Sequence, residues 1–216
     1  MSSTQYIFVP IPFAKRAFDV FLSILLLTFF SPLILIFLAC IFIENTIRLY
    51  PFAPLFYSEI RWSQGKPFKL YKFNIFKHDV VARMHREGQF IHTKRLEHNG
   101  SVTATGWVLK QIYLDEFPQF FNVLLGDMSV VGPRPMNTMV RDQLIDQNIV
   151  AKEYVKAGIT GLYQATHKIR RAGKPQAELD YQQYVFYATK PWYRVLLYDI
   201  RILVKTALVL LLARGI

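Results

Sequence analysis

The feature that most limits how this chain can fold is a run of twenty-four residues, Val20–Ile43, without a charged side chain. A helix of this length can cross a bilayer, which needs about 20 consecutive apolar residues. Ser31-Pro32 lies at the middle of the run, and proline removes a helical hydrogen bond and clashes with the preceding turn. The run therefore predicts either a kinked helix that spans the membrane or a re-entrant hairpin.

Basic residues on both sides of the run favour the hairpin. Lys15 and Arg16 precede it, and Arg48 and Arg61 are among the basic residues that follow. Basic flanks prefer the cytoplasmic side of a membrane. Each limb of about eleven residues is roughly 16 Å long at helical rise, against a hydrocarbon core of about 30 Å. We therefore predict a re-entrant helix–break–helix with both ends cytoplasmic, and a single-pass anchor is the alternative.

Two adjacent carboxylates, Asp115 and Glu116, begin the stretch Leu114–Pro135, where we expect the functional centre. Asp115 is a plausible N-cap for a short apolar helix over Phe117–Leu125, which Gly126 would end. The helix macrodipole favours ionised carboxylates at that end, and backbone N–H groups there can hold an anion. An ordinary cap with a solvated neighbour is the alternative reading of the acid pair.

Arg134 follows the predicted helix and lies between Pro133 and Pro135. The second proline biases Arg134 toward an extended backbone, which limits the directions in which its guanidinium can point. Arginine binds phosphate groups in a bidentate manner. Acids, a helix end and a restrained arginine together suggest phosphoryl chemistry, although a plain proline-rich loop would look similar.

Charge and composition narrow the class of partner. The chain has 216 residues, a net charge of +11 and 52% hydrophobic residues, and its mean hydropathy is +0.20. Such a basic and apolar chain suits an anionic membrane surface or phosphate-bearing substrates. Nucleic acid is not expected, because no recognition motif is present. The single cysteine, Cys40, lies in the apolar run, where we expect it to be an inert packing residue.

The remaining segments give coarser expectations. Leu55–Tyr57 and Phe68–Phe73 read as strands of a small hairpin around a turn at residues 63–66. Lys77–Gly100 contains four histidines whose spacing does not match a compact metal site, so a solvated basic loop is expected.

The C-terminal third is read in the same way. We expect a charged helix over Met139–Lys156 and a turn or loop at Gly158–Gly161. Tyr193–Ile216 combines apolar residues with scattered charges. It is predicted to lie on the membrane interface, with a core helix of the domain as the alternative.

The stretch DEFPQFFNVLLGDMSVVGPRP resembles the signature of the bacterial sugar transferases, the monotopic polyprenyl-phosphate phosphoglycosyl transferases. KRAFDVFLSILLLTFFSP is similar to the N-terminal run of that family, and FKLYKFNIF to its FKxYKFxTM segment. In the family the aspartate of the acid pair attacks the phosphate of a nucleoside-diphosphate sugar and becomes linked to the phosphosugar. A magnesium ion assists, and a uridine nucleotide is expected.

The resemblance assigns roles to particular residues. Asp115 and Glu116 would be catalytic and would bind Mg²⁺, and Ser31-Pro32 would make the membrane break. Lys110 stands where the family usually has arginine, and lysine lacks the planar fork of arginine. Further contacts to substrate phosphates are implied for Arg134, Lys110, Lys72 and Gln164.

These inferences combine into one expected protein. The fold would be α+β and mostly helical, with a re-entrant N-terminal membrane helix in residues 1–48. A small β-hairpin and interfacial amphipathic helices would surround a cytoplasmic catalytic core in residues 49–216. The enzyme would be monotopic on the cytoplasmic face of the bacterial inner membrane, in contact with membrane lipids. It would transfer a sugar 1-phosphate to polyprenyl (undecaprenyl) phosphate, and a membrane-bound phosphohydrolase or a non-catalytic adaptor are the alternatives.

Overall fold

A computed structural model describes residues 6–50, 53–87, 100–167 and 175–212. It confirms the expected α+β class, which is mostly helical with little sheet. The helices are α1 (Phe13–Ile47), α2 (His78–Glu87), α3 (Ala104–Gln111), α4 (Gln119–Leu125), α5 (Thr138–Asp146), α6 (Leu162–His167), α7 (Gln176–Thr189) and α8 (Trp192–Leu212), with 3₁₀ turns at Leu114–Glu116 and Ala151–Tyr154. The strands are β1 (Phe56–Ser63), β2 (Lys66–Phe73), β3 (Ser129–Val131) and β4 (Gly158–Thr160).

Helix α1 is one continuous helix of 35 residues with Pro32 inside it. The two predicted limbs are therefore joined by helical backbone rather than separated by a break. The Ser31 hydroxyl donates to the Thr28 carbonyl at 2.7 Å. That carbonyl is the one that loses its helical partner at Pro32, so the neighbouring serine replaces the missing hydrogen bond. This local repair explains why the helix continues past the proline.

Both ends of α1 are attached to the same folded body. Near its start, the buried Lys15 pairs with Asp199 of α8 and donates to the Val131 carbonyl at 3.0 Å. Near its end, the Glu44 carboxylate accepts hydrogen bonds at 2.9 Å from the backbone of Ala104 and Thr105, in the first turn of α3. Polar anchors thus hold the apolar helix against the domain at both ends.

Helices α1 and α8 leave apolar side chains exposed. Helix α1 is long and apolar enough to cross a membrane by length and composition. Helix α8 buries Val195, Ile202 and Val209 in the core, while its exposed face mixes apolar residues with Arg194, Arg201 and Lys205. The buried face agrees with the alternative of a core helix, and the place of this segment on a membrane interface stays a prediction. The exposed α8 residues include Leu197, Ile200, Val204, Leu208 and Leu211.

Cys40 contradicts its predicted role. It was expected to be a packing residue, but its side chain is exposed on α1. The residue lies on the face of the helix that turns away from the domain, so an apolar sequence context does not imply burial inside the protein.

The hairpin is confirmed, with β1 longer than predicted. Strands β1 and β2 are antiparallel, and Ser63 pairs with Lys66 across a two-residue turn. Gln64 and Gly65 both have positive φ, +50° and +71°, the backbone that two-residue hairpin turns favour. In this register Glu59 lies opposite Leu70.

Three secondary-structure assignments predicted from the sequence are wrong. The expected loop after Lys77 begins with helix α2, because Val80 and Val81 are buried and fix one face of a helix to the core. The rest of that loop, residues 88–99, lies outside the described residues. The helix expected to continue to Lys156 ends at Asp146, and Asn148 then takes a positive φ of +58°. The expected turn at Gly158 is strand β4.

Strands β3 and β4 pair in parallel at an unusually close crossing. A Cβ added to Gly132 would lie 2.3 Å from the Lys156 carbonyl, and one added to Gly158 would lie 2.0 Å from the Gly132 nitrogen. Only glycine fits at both positions. Gly158 also donates its N–H to the Pro133 carbonyl at 2.9 Å, so the crossing fixes the segment that carries Arg134.

Candidate functional site

The acid pair lies in the 3₁₀ turn Leu114–Glu116, not at an α-helix N-cap. Tyr113 enters the turn with a positive φ of +58°, and Phe117 donates its N–H to the Leu114 carbonyl at 3.1 Å. Helix α4 begins only at Gln119. Pro118 has no N–H to donate, so it cannot extend the hydrogen-bond pattern of the turn. The predicted cap role of Asp115 is therefore wrong, while the predicted end of the helix at Gly126, which has φ +86°, is confirmed.

Two of the predicted phosphate-binding residues meet at Glu116. Arg134 donates to one Glu116 carboxylate oxygen at 2.8 Å, and the Lys72 ammonium lies 3.4 Å from the same oxygen. The Glu116 side chain is only 21% exposed, whereas Arg134 remains 43% exposed. The structure thus brings together residues that are more than forty positions apart in the sequence.

These cations keep Glu116 ionised. Burial by itself would raise the pKa of the Glu116 carboxyl, but the charges of Arg134 and Lys72 outweigh it and lower the pKa to about 2. Glu116 is consequently a carboxylate at any physiological pH. In return, Glu116 raises the pKa of the Arg134 guanidinium, against the opposing effect of burial.

A second carboxylate, Glu59, extends this network and was missed from the sequence. It is buried, lies 3.6 Å from the Lys72 ammonium, and accepts a hydrogen bond from Arg61 at 2.8 Å. Arg61 was read only as part of the basic flank, and Glu59 lay outside the predicted strand Leu55–Tyr57. The signal that could have found them is the period of two along β1, which places Glu59 and Arg61 on the same face as the buried Tyr57.

A small cleft lies beside these charges. Arg61, Lys72 and Arg134 contribute its cations, and Gly158 and Ile159 of β4 form part of its wall. The close crossing of β3 and β4 therefore builds one side of the cleft. Leu70, Gln119 and Pro135 complete the lining.

An apolar groove of about 250 Å³ opens between α1 and the residues that follow the acid pair. Phe117 and Pro118, directly after Glu116, line one side of it, and Ser31 lies in its α1 wall. The Ser31 hydroxyl is already bonded to Thr28, so it adds little polarity. The other lining side chains are apolar: Leu27, Ile34, Leu35, Leu38, Phe56, Phe73 and Phe121.

Two other predicted phosphate-binding residues, Lys110 and Gln164, are not among the residues that line the cleft. Lys110 lies in the last turn of α3, shortly before the acid pair. Gln164 lies on α6. Both polar atoms of the Gln164 side chain are buried and meet no hydrogen-bond partner among the described residues. The basic run that follows it, residues 168–171, lies outside the described part of the chain.

The site contains few metal-ligand groups. Within the described residues, no cluster of three or more His, Cys, Asp or Glu side chains could hold a metal. The adjacent Asp115 and Glu116 remain compatible with Mg²⁺, which prefers oxygen ligands and keeps several of its waters. One Glu116 oxygen is engaged by Arg134 and Lys72, so a metal would use Asp115 and the second Glu116 oxygen.

A long apolar helix, an apolar groove and a charged cleft beside it define a class of membrane-associated α+β proteins. Within this class the chain belongs to the bacterial sugar transferase family, because the sequence model described as "Bacterial sugar transferase" matches residues 11–213. The recognition made from the acid-pair stretch is thereby confirmed.

Individual relatives agree with the family. The undecaprenyl-phosphate galactose phosphotransferase of Salmonella typhimurium is 33% identical over 94% of this chain and 41% of its own length. The UDP-glucose:undecaprenyl-phosphate glucose-1-phosphate transferase of Klebsiella pneumoniae is 35% identical over 69% of this chain and 30% of its own length. The uncharacterized sugar transferase EpsL of Bacillus subtilis is 33% identical over 94% of this chain and 89% of its own length. The chain thus spans well under half of the first two relatives.

Proposed function

We propose that this chain transfers a sugar 1-phosphate from a nucleoside-diphosphate sugar, expected to be a UDP-sugar, to polyprenyl phosphate. The observation that carries the proposal is that Glu116 contacts two cations of the cleft, while Phe117 and Pro118, directly after it, line the apolar groove. The cations that line the cleft suit the phosphate groups of a nucleotide, and the apolar groove suits a prenyl chain. Relatives whose names specify undecaprenyl phosphate as acceptor support the same pairing. The reaction would be the first membrane step of a glycan or polysaccharide.

The proposed chemistry uses Asp115 as the nucleophile. Its carboxylate oxygen attacks the phosphorus that bears the sugar, and the bond from that phosphorus to the bridging oxygen breaks. The products are an aspartyl phosphosugar and a nucleoside monophosphate. An oxygen of the polyprenyl phosphate then attacks the same phosphorus and restores the Asp115 carboxylate. A carboxylate nucleophile, unlike a hydroxyl, has no proton that a base must remove as it attacks.

The surrounding residues would reduce charge repulsion between this nucleophile and the phosphate. Arg134 and Lys72 already neutralise Glu116, and the exposed part of Arg134 can turn to a substrate oxygen. Lys110 would add a point charge from the end of α3. Bound Mg²⁺, held by Asp115 and Glu116, would polarise the phosphoryl oxygens. Gln164 stays a proposed substrate contact on the strength of the family pattern.

We also propose a monotopic arrangement on the cytoplasmic face of the inner membrane. A straight helix of 35 residues would be roughly 52 Å long, which would separate its ends by more than a hydrocarbon core. The contacts of Lys15 with Asp199 and of Glu44 with α3 hold both ends to one body. If this body lies on one side of the membrane, both ends of α1 lie on that side as well. The two attachments therefore support a re-entrant helix rather than a spanning one.

The test is a two-stage assay on the purified full chain. With a UDP-sugar alone, the wild type should release one uridine monophosphate per enzyme and gain a phosphosugar adduct on Asp115, visible by mass spectrometry. Adding polyprenyl phosphate should give continuous release and a lipid-linked sugar, with the ping-pong kinetics of a covalent intermediate.

Asp115→Asn should abolish both stages, while Asp142→Asn, which changes an exposed carboxylate, should retain wild-type rates. Free sugar phosphate without lipid product would instead identify a hydrolase, and no turnover with a panel of nucleotide sugars would favour a non-catalytic adaptor. Substantial activity of Asp115→Asn would exclude it as the nucleophile.

A further inference from the structure

Arg61 is a cation of the cleft that the resemblance to the family did not assign. It lies on β1, and the strand period places Glu59, Arg61 and the buried Ser63 on one face of the hairpin. The pairing of Tyr57 with Lys72 brings Lys72 onto that same face. Charged side chains that point inward from a hairpin are uncommon unless something there uses them.

The charged groups form a chain that leads away from the acid pair. Glu116 contacts Lys72 and Arg134. Lys72 also approaches Glu59, at 3.6 Å, and Glu59 accepts a hydrogen bond from Arg61. Arg61 is therefore the cleft cation that three successive ion pairs, through Lys72 and Glu59, connect to Glu116.

The guanidinium of Arg61 has unused binding capacity. One terminal nitrogen donates to Glu59 at 2.8 Å. The Nε group is buried and meets no hydrogen-bond partner among the described residues. A buried donor without a partner costs free energy, and an anionic oxygen entering the cleft could satisfy it.

We propose that Arg61 binds the nucleoside-linked phosphate of the donor, the phosphate that leaves as the nucleoside monophosphate, and that Glu59 is a positioning residue for Arg61 and Lys72. The inference rests on the proposed function. If Asp115 attacks the phosphorus that carries the sugar, the second phosphate of the diphosphate must lie farther along the cleft. Among the described residues that line the cleft, Arg61 is the cation on that side. When the bridging bond breaks, the leaving phosphate gains a negative charge, and Arg61 offsets it.

Among the described residues, Lys152 is another cation close enough to Arg61 for their charges to interact, and its contacts argue against the same role. Its ammonium pairs with Asp180 at 3.2 Å, and both side chains are more than nine-tenths buried. Burial lowers the pKa of Lys152, with a further contribution from the charges of Arg134 and Arg61. A lysine held in this way has little freedom to reach a substrate, whereas Arg61 lines the cleft itself.

The experiment measures binding of uridine monophosphate to the full-length protein in detergent by isothermal titration calorimetry. Arg61→Gln should raise the dissociation constant about 10-fold or more, since a charge-assisted contact is lost. Arg61→Lys should lie between that variant and the wild type, because lysine keeps the charge but not the fork. Lys69→Gln is the matched control, since it removes a cation from the opposite face of the same hairpin.

The positioning role of Glu59 has its own readout. As a single substitution, Glu59→Gln should weaken binding of the mononucleotide. In the Arg61→Gln background the same substitution should cause little further loss of affinity. A residue with only a general structural role would give additive losses in this double-mutant cycle. Additive losses would therefore remove Glu59 from the proposal.

Wild-type affinity in folded Arg61→Gln, judged by an unchanged unfolding midpoint, would overturn the assignment. If Arg61→Gln does not fold, unchanged affinity in Arg61→Lys overturns it instead. Absence of mononucleotide binding to the wild type would also overturn it. Turnover of nucleotide sugars by the wild type is a separate measurement, so failure of this inference and failure of the proposed function can be told apart.

Discussion

At the scale of single residues, two cations neutralise one largely buried carboxylate of the site. Glu116 would resist ionisation in its buried position, and it stays charged because Arg134 and Lys72 approach one of its oxygens. Arg134 is 43% exposed, so it can pair with Glu116 and still present donors to the cleft. Flanking prolines and the fixed crossing of β3 and β4 restrict its backbone.

Arg134→Lys should lower the rate of the first stage about 10-fold or more while leaving the fold intact. Lysine keeps the charge near Glu116 but cannot make a bidentate contact, and a lost charge-assisted contact costs about 1.5–3 kcal/mol. The measurement is single-turnover release of uridine monophosphate. Arg83→Lys, the same change at an exposed position of α2, should keep the wild-type rate. Equal rates in the two variants would remove Arg134 from the proposed phosphate contacts.

At the scale of the element, helix α1 is defined by its serine–proline pair. Pro32 deprives the Thr28 carbonyl of its helical partner, and Ser31 supplies a replacement. The helix therefore continues, yet it lacks one backbone hydrogen bond at its centre, and proline is the usual cause of a bend in a helix. Ser31 also lines the apolar groove, which connects this part of α1 to the proposed acceptor site.

The topology of α1 can be tested by cysteine labelling in intact cells. The native Cys40 is first replaced by serine, because its side chain is exposed, and a cysteine is then placed at Ser2. A re-entrant helix keeps Ser2 in the cytoplasm, so a membrane-impermeant maleimide should label it only after permeabilisation. Pro32→Ala should increase labelling of intact cells, since it restores a full hydrogen-bond ladder and favours a straight helix. Efficient labelling of the protein that retains Pro32, in intact cells, would mean that α1 spans the membrane.

At the scale of the whole molecule, a buried polar cluster joins the first turns of α1 to the core. Lys15 contacts Asp199 and the Val131 carbonyl. Asp19 accepts hydrogen bonds from the Ser129 hydroxyl at 2.7 Å and the Val130 N–H at 3.1 Å. Strand β3, which leads to Arg134, is thus held by the long apolar helix α1.

Asp199→Asn should destabilise the protein by about 3–5 kcal/mol, because it leaves the charge of Lys15 buried without its partner. The quantity to measure is the free energy of unfolding by denaturant in detergent micelles. Asp142→Asn, which breaks an exposed pair with Arg141, should cost less than about 1 kcal/mol. Lys15→Met combined with Asp199→Asn should recover part of the loss. Similar stability of the two single variants would show that the buried pair does not anchor α1.

Several features of this protein could be predicted from local sequence alone. The apolar run of α1, the hairpin turn with its glycine, and the end of α4 at Gly126 each depend on residues adjacent in the chain. The family was recognisable from one continuous stretch around Asp115 and Glu116. Predictions from local sequence were wrong where a tertiary contact or the backbone conformation of a turn decided the secondary structure. Buried valines made a helix after Lys77, and a 3₁₀ turn replaced the expected cap at Asp115.

Local sequence was therefore sufficient to predict the long apolar helix, the basic and apolar character of the chain, and its acid pair. The charges that surround that pair depend on packing between distant elements. Glu59 and Arg61 are fifty or more positions before Glu116, and they reach its network because the hairpin packs its inner face beside the 3₁₀ turn. Ion pairs between distant residues leave no periodic pattern in the sequence, because their geometry depends on how separate elements pack.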